Sequence, residues 1–167
     1  TKIILKAGKS RASMATRNLE DFPTHSSLAQ SSPVRNIQAG ALLDAIHAVS
    51  FAAVSDPRQA RMPMLQGVNL EIESGMFRLT GCDSSRAAFS SVPSLGEISK
   101  AITIPAGAFE TAVKMLSEEP KADVILVFDH SSVSLTVPTL ASYRIQLLAG
   151  TYPEDRNLIP SNNPTIV

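Results

Sequence analysis

The sequence lacks most of what marks a metal centre, a membrane protein or an enzyme. It has one cysteine, Cys82, in 167 residues, which excludes an intrachain disulfide framework and any multi-cysteine zinc site. It has no excess charge, because 15 basic residues offset 15 acidic ones; a freestanding DNA-binding domain that works through its bulk field is normally more basic. No apolar run approaches the roughly 18 residues that a membrane span needs, and no signal-peptide pattern is present. There is no G-x-G-x-x-G. Gly8-Lys9-Ser10 has the end of a phosphate-binding loop, but that motif needs glycine where Ile3 sits, so an ordinary turn is the better reading. His25, His47 and His130 are scattered without ligand spacing. No Ser/His/Asp or paired-carboxylate arrangement can be drawn, so no metal, cofactor or catalytic residue is assigned. The chain begins at Thr1, and a piece cut from a longer protein is expected.

What is present is enough to build a core. The chain is 44% hydrophobic and 18% charged, and a chain of this size buries roughly 70% of its unfolded surface. Residues 2–6 and 11–16 read as strands of a hairpin turning at Gly8-Lys9. An isolated hairpin is marginal in water, so this one is expected to belong to a larger sheet. Residues 25–33 are Ser-rich and read as a linker.

The most informative feature is an internal duplication. Ile37, Ala39, Gly40, Ala41 and Ala45 recur as Ile104, Ala106, Gly107, Ala108 and Ala112. Leu42, Ile46 and Val49 recur as Phe109, Val113 and Leu116. Spacing of four and then three gives one face of a helix, predicting helices near 38–49 and 106–117. Short strands precede them at 34–37 and 101–104. Strands at 64–72, 76–81 and 86–92 follow the first helix, and strands at 124–128, 133–137 and 142–148 follow the second. The unit is β-α-β-β-β, twice, so the fold class is α+β, with two helices side by side on one side of antiparallel sheet.

Three local features invite chemistry. Cys82 has no histidine or cation beside it to favour a thiolate, so a buried structural cysteine is expected. In the loop 81–86, an ion pair from Asp83 to Arg86 would hold the turn, and the alternative is the lip of a binding groove. Residues 152–160 form a Pro-bounded stretch that reads as a linker, with apolar Leu158 and Ile159 packing on something.

Taken in order along the chain, these residues resemble the bacterial DNA polymerase III beta subunit family, the beta sliding clamps. Residues 19–23 resemble the end of that family's first domain. Residues 51–55 and 63–68 resemble the exit of the first helix and the second strand of its middle domain. Gly81-Cys82-Asp83-Ser84-Ser85-Arg86-Ala87 occupies the place of the family's Ala-Thr-Asp-Gly-His-Arg-Leu signature, and 148–160 resembles the connector into the third domain.

The resemblance implies three parts: 1–23 as the tail of domain one, 24–150 as the middle domain, and 151–167 as connector and start of domain three. It implies a cytoplasmic, non-catalytic processivity factor, a ring of head-to-tail homodimers around duplex DNA. DNA polymerase III and the clamp loader would bind through short peptides. Carried over by position, the peptide groove would comprise Leu65, Cys82, Ser84, Ser85, Arg86, Ala87, Pro153, Asn157 and Leu158. This sequence departs from the family at Cys82, Ser84, Ser85, Ala87 and Asn157. His47 and Lys114 would face DNA, and Lys114 is the sole lysine or arginine on the two predicted helices. This chain alone is expected to be a monomer. The alternative, from another class, is a diverged clamp-fold interaction module without DNA tethering.

Overall fold

The computed structural model describes residues 2–17, 34–54, 62–83, 85–94 and 101–153. The first strands, β1 (Lys2–Ala7) and β2 (Ser10–Ala15), pair antiparallel as a two-stranded hairpin, with every residue of both exposed. The larger sheet expected around them is not among the described residues.

The remaining elements form the doubled unit. The first copy is β3 (Val34–Gln38), α1 (Ala39–Ser50), β4 (Gly67–Glu73), β5 (Met76–Cys82) and β6 (Ala87–Pro93). The second is β7 (Ile102–Pro105), α2 (Ala106–Leu116), β8 (Asp123–Phe128), β9 (Ser132–Val137) and β10 (Ala141–Gln146). The predicted elements all appear, with one correction. Met64 to Gln66 do not continue a strand but lie in a 3₁₀ turn, Pro63–Gln66. Pro63 supplies the fixed φ of a helical first position and has no N–H to give to a ladder.

The copies exchange their first strands. One sheet runs β10-β9-β8-β3 and the other β6-β5-β4-β7, so β3 pairs with the second copy and β7 with the first. The edges of the two sheets then approach each other, β3 near β6 and β7 near β10. This reciprocal exchange, with α1 packed on α2, is the pseudo-two-fold arrangement expected of a duplicated unit.

One core joins both copies. The predicted stripes Leu42, Ile46, Val49 and Phe109, Val113, Leu116 are fully buried. They meet Val68, Leu70, Phe77 and Leu79 from one sheet and Val124, Leu126, Val133 and Leu135 from the other. Each such side chain contributes roughly 1.5–3 kcal/mol on burial. The start of α1 has no side-chain cap. Its first amides donate instead to the loop before β8, Ala39 N to Ala122 O and Gly40 N to Pro120 O, both at 2.9 Å. Orphan donors of one copy's helix are thus satisfied by the other copy.

Candidate peptide-binding site

Beside the main core lies a second, small cluster at the far end of β5. Leu65, Cys82 and Tyr152 are buried together, with Val54 and Met64 packed against them. Three chain segments converge there. The 3₁₀ turn presents Leu65, whose carbonyl accepts the Val54 amide at 2.8 Å. Strand β5 ends at Cys82. The segment after β10 brings Tyr152, whose hydroxyl accepts the Cys82 amide at 2.8 Å. The approach of that segment depends on Gly150, at φ +120 and against the Met64 side chain, where a Cβ would be both strained and obstructed. At the start of its path, Leu148 N donates to Thr103 O at 2.8 Å, extending the edge of β7.

The loop after Cys82 is built around one carboxylate. Asp83 Oδ1 accepts the Ser85 amide at 2.7 Å, the Ser85 hydroxyl at 2.9 Å and the Arg86 amide at 3.0 Å. Asp83 Oδ2 accepts Arg86 Nε at 3.0 Å. The Ser85 amide and hydroxyl, then the Arg86 amide and charge, hold the Asp83 carboxyl below the usual carboxylate range against a partial desolvation that opposes them. The ion pair expected from the sequence is therefore formed. Gly81 seats the base of this loop against α1, since a Cβ there would collide with the Val49 carbonyl. The Arg86 guanidinium lies 5.8 Å from the Phe51 ring centroid, directly after α1.

The predicted residues fall into groups. Leu65 and Cys82 are buried in one cluster with Tyr152; Pro153 is half-buried and follows Tyr152; Ser85, Arg86 and Ala87 are exposed. Ala87 is paired with Cys82 across the β5–β6 ladder. Ser84, Asn157 and Leu158 lie outside the described residues. Tyr152 was missed as a site residue, although the cluster forms on it. A lone tyrosine in a polar, Pro-bounded stretch does not advertise a partner 70 residues away. His47 and Lys114 are exposed on α1 and α2, with His47 Nε2 3.5 Å from Glu110 Oε1 across the helix pair. Among the described residues there is no grouping of three or more His, Cys, Asp or Glu able to hold a metal. No helix described is long and apolar enough to cross a membrane.

The family model for the DNA polymerase III beta subunit, central domain, matches residues 36–154, which takes in both copies of the unit and the segment reaching Tyr152. The chain belongs to this family. The beta sliding clamp of Halalkalibacterium halodurans is 32% identical over 128 residues, covering 74% of this chain and 32% of the relative. That of Micrococcus luteus is 25% identical over 166 residues, covering 98% of this chain and 52% of the relative. The chain thus spans about half or less of the length of these clamps. Among solved structures, the DNA polymerase sliding clamp of Bacillus subtilis superposes with a TM-score of 0.82 at 21% identity, covering 96% of this chain and 41% of that one. A Pseudomonas aeruginosa clamp bound to griselimycin superposes with a TM-score of 0.81 at 23% identity, covering 98% of this chain and 43% of that one. The sliding-clamp fold that the resemblance implies is the fold this chain adopts, and the α+β doubled unit expected from the repeat is its framework.

Proposed function

We propose that the chain is the central part of a DNA polymerase processivity clamp and that its site is a peptide-binding groove rather than a centre of catalysis. In this reading residues 1–23 are the tail of a first domain, 24–150 the middle domain, and 151–167 the connector to a third. The whole protein is a cytoplasmic homodimeric ring that encircles duplex DNA, and it holds DNA polymerase III and the clamp loader through short peptides. The groove comprises Leu65, Cys82, Ser84, Ser85, Arg86, Ala87, Pro153, Asn157 and Leu158. The family match across 36–154 carries this reading. The convergence of Leu65, Cys82 and Tyr152 beneath exposed Arg86 and Ala87 supports the groove, since a peptide site needs apolar surface and a few polar groups to fix direction.

One observation favours the second reading, an interaction module of the same fold that does not tether DNA. The helix pair offers Lys114 as its lone lysine or arginine against Asp44 and Glu110, so counterion release from phosphates has little to draw on. The two readings separate by the sequence encoded on either side of the chain. Two further doubled β-α-β-β-β domains flanking this one would establish the ring, and their absence would leave the module. For the 167-residue chain itself, light scattering should give a monomer and linear duplex should bind negligibly at physiological salt. Tight, salt-dependent duplex binding would overturn the view that this surface contributes little to DNA affinity.

A further inference from the structure

Met115 lies in the last turn of α2 and is 48% exposed. Its Sδ accepts a hydrogen bond from the Tyr143 hydroxyl at 3.1 Å. Tyr143 stands on β10 between Ala141 and Ile145, half-buried and packed against the main core. An aromatic side chain held by the core thus aims its hydroxyl at a sulfur that is open to solvent. The fold does not require this contact. In the first copy the place of Met115 is taken by Ala48, which is also exposed. A thioether is in addition a weak acceptor, so the phenol hydroxyl is better matched to a stronger one at the same place.

We infer that Met115 is a site of reversible oxidation by a hydroperoxide, and that Tyr143 receives the sulfoxide formed there. In the oxidation step a lone pair of Met115 Sδ attacks one oxygen of hydrogen peroxide. An S–O bond forms as the O–O bond breaks. The sulfur gives up an electron pair, and the departing oxygen takes the proton of the transferred one and leaves as water. The product is a polar sulfoxide, which reductases return to the thioether. Its oxygen accepts from the Tyr143 hydroxyl more strongly than the sulfur did, and the unbranched methionine side chain can turn to present it. Oxidation of a core methionine disrupts packing. At Met115 the added oxygen enters at the surface, and the mark fastens the last turn of α2 to β10.

The test treats the folded 167-residue chain with hydrogen peroxide and reads each methionine by peptide mass spectrometry. Met115 should be converted together with exposed Met14 and Met62, ahead of half-buried Met64 and Met76. Urea denaturation is then compared before and after treatment in the unaltered chain and in Tyr143→Phe, which keeps the ring and removes the hydroxyl. Treatment should raise the unfolding constant of Tyr143→Phe by about three- to ten-fold more than that of the unaltered chain, the worth of one hydrogen bond. Placing Met115→Leu in both chains should abolish this excess, because only the other methionines are then oxidised. Met115 left reduced after Met14 and Met62 are converted would overturn the site. An equal response in the unaltered chain and Tyr143→Phe, or an excess that persists with Met115→Leu, would overturn the role given to Tyr143.

Discussion

Asp83 and Asp129 close two turns of the same construction, at places the duplication does not make equivalent. In each, the aspartate amide donates to the carbonyl three residues on, Asp83 to Arg86 at 3.0 Å and Asp129 to Ser132 at 2.9 Å. In each, Oδ1 accepts the amides of the second and third residues after it. The difference is the arginine on Oδ2. Asp129 takes Arg144 from strand β10, and that arginine also donates from Nε to the Ser132 hydroxyl at 2.8 Å. Asp83 takes Arg86 from its own turn. The Arg144 side chain is 23% exposed and the Arg86 side chain 53%. A carboxylate that gathers a distant arginine ties two strands together. One that holds its own turn's arginine stiffens a loop and leaves that arginine at the surface.

The largest expected effect breaks the Asp129 turn. Asp129→Ala removes the acceptor for two amides and the Ser132 hydroxyl and takes the carboxylate from a partly buried Arg144, so it should cost about 1–3 kcal/mol in urea denaturation. A cost no greater than that of Asp83→Ala would erase the distinction drawn between the turns. Next in size is Tyr152→Phe, which deletes the acceptor of the Cys82 amide. It should cost about 1 kcal/mol and hasten hydrogen exchange at Cys82, the residue on which the Asp83 turn is founded.

Acid should separate the two turns further. The Ser132 hydroxyl first, then the Ser131 and Ser132 amides and Arg144, hold the Asp129 carboxyl well below its ordinary value of 3.8 against desolvation. A carboxyl depressed in the folded state adds stability that is present above its unfolded value. That stability fades as pH falls from about 4 through the folded value. The stability gap between the unaltered chain and Asp129→Asn should therefore be constant near neutrality and narrow below about pH 4. A gap that widened on acidification would refute the cause assigned. The smallest stability effect belongs to Asp83→Ala, where the partners are exposed and solvent screens the ion pair. Its consequence should appear in peptide affinity, because Arg86 loses the group that orients it; full affinity in Asp83→Ala would contradict the role given to that turn.

Much of this arrangement was legible in the sequence, and the exceptions share a cause. Leu42, Ile46, Val49 and their counterparts announce both helices through local periodicity, and the doubling of the unit announces the pseudo-symmetry. The exchange of β3 and β7 between sheets did not announce itself, because strand pairing across half the chain leaves no trace in local spacing. Pairing of Asp83 with Arg86 could be read across three residues, whereas pairing of Asp129 with Arg144 spans 15 and could not. Met64 and Leu65 look like strand residues by composition, and Pro63 decides otherwise.

The central claim, that the surface above Leu65, Cys82 and Tyr152 receives a partner peptide, is tested most directly by following backbone amides in NMR spectra while Gln-Ala-Ala-Leu-Ala-Phe is added. The account predicts shifts at Cys82, Arg86, Ala87 and Tyr152. It predicts none on the exposed helix positions Ala41, Asp44 and Thr111, and loss of the response in Ala87→Asp, where an exposed position tolerates the change without loss of fold. Shifts confined to the two helices, or a response unaltered by Ala87→Asp, would contradict it.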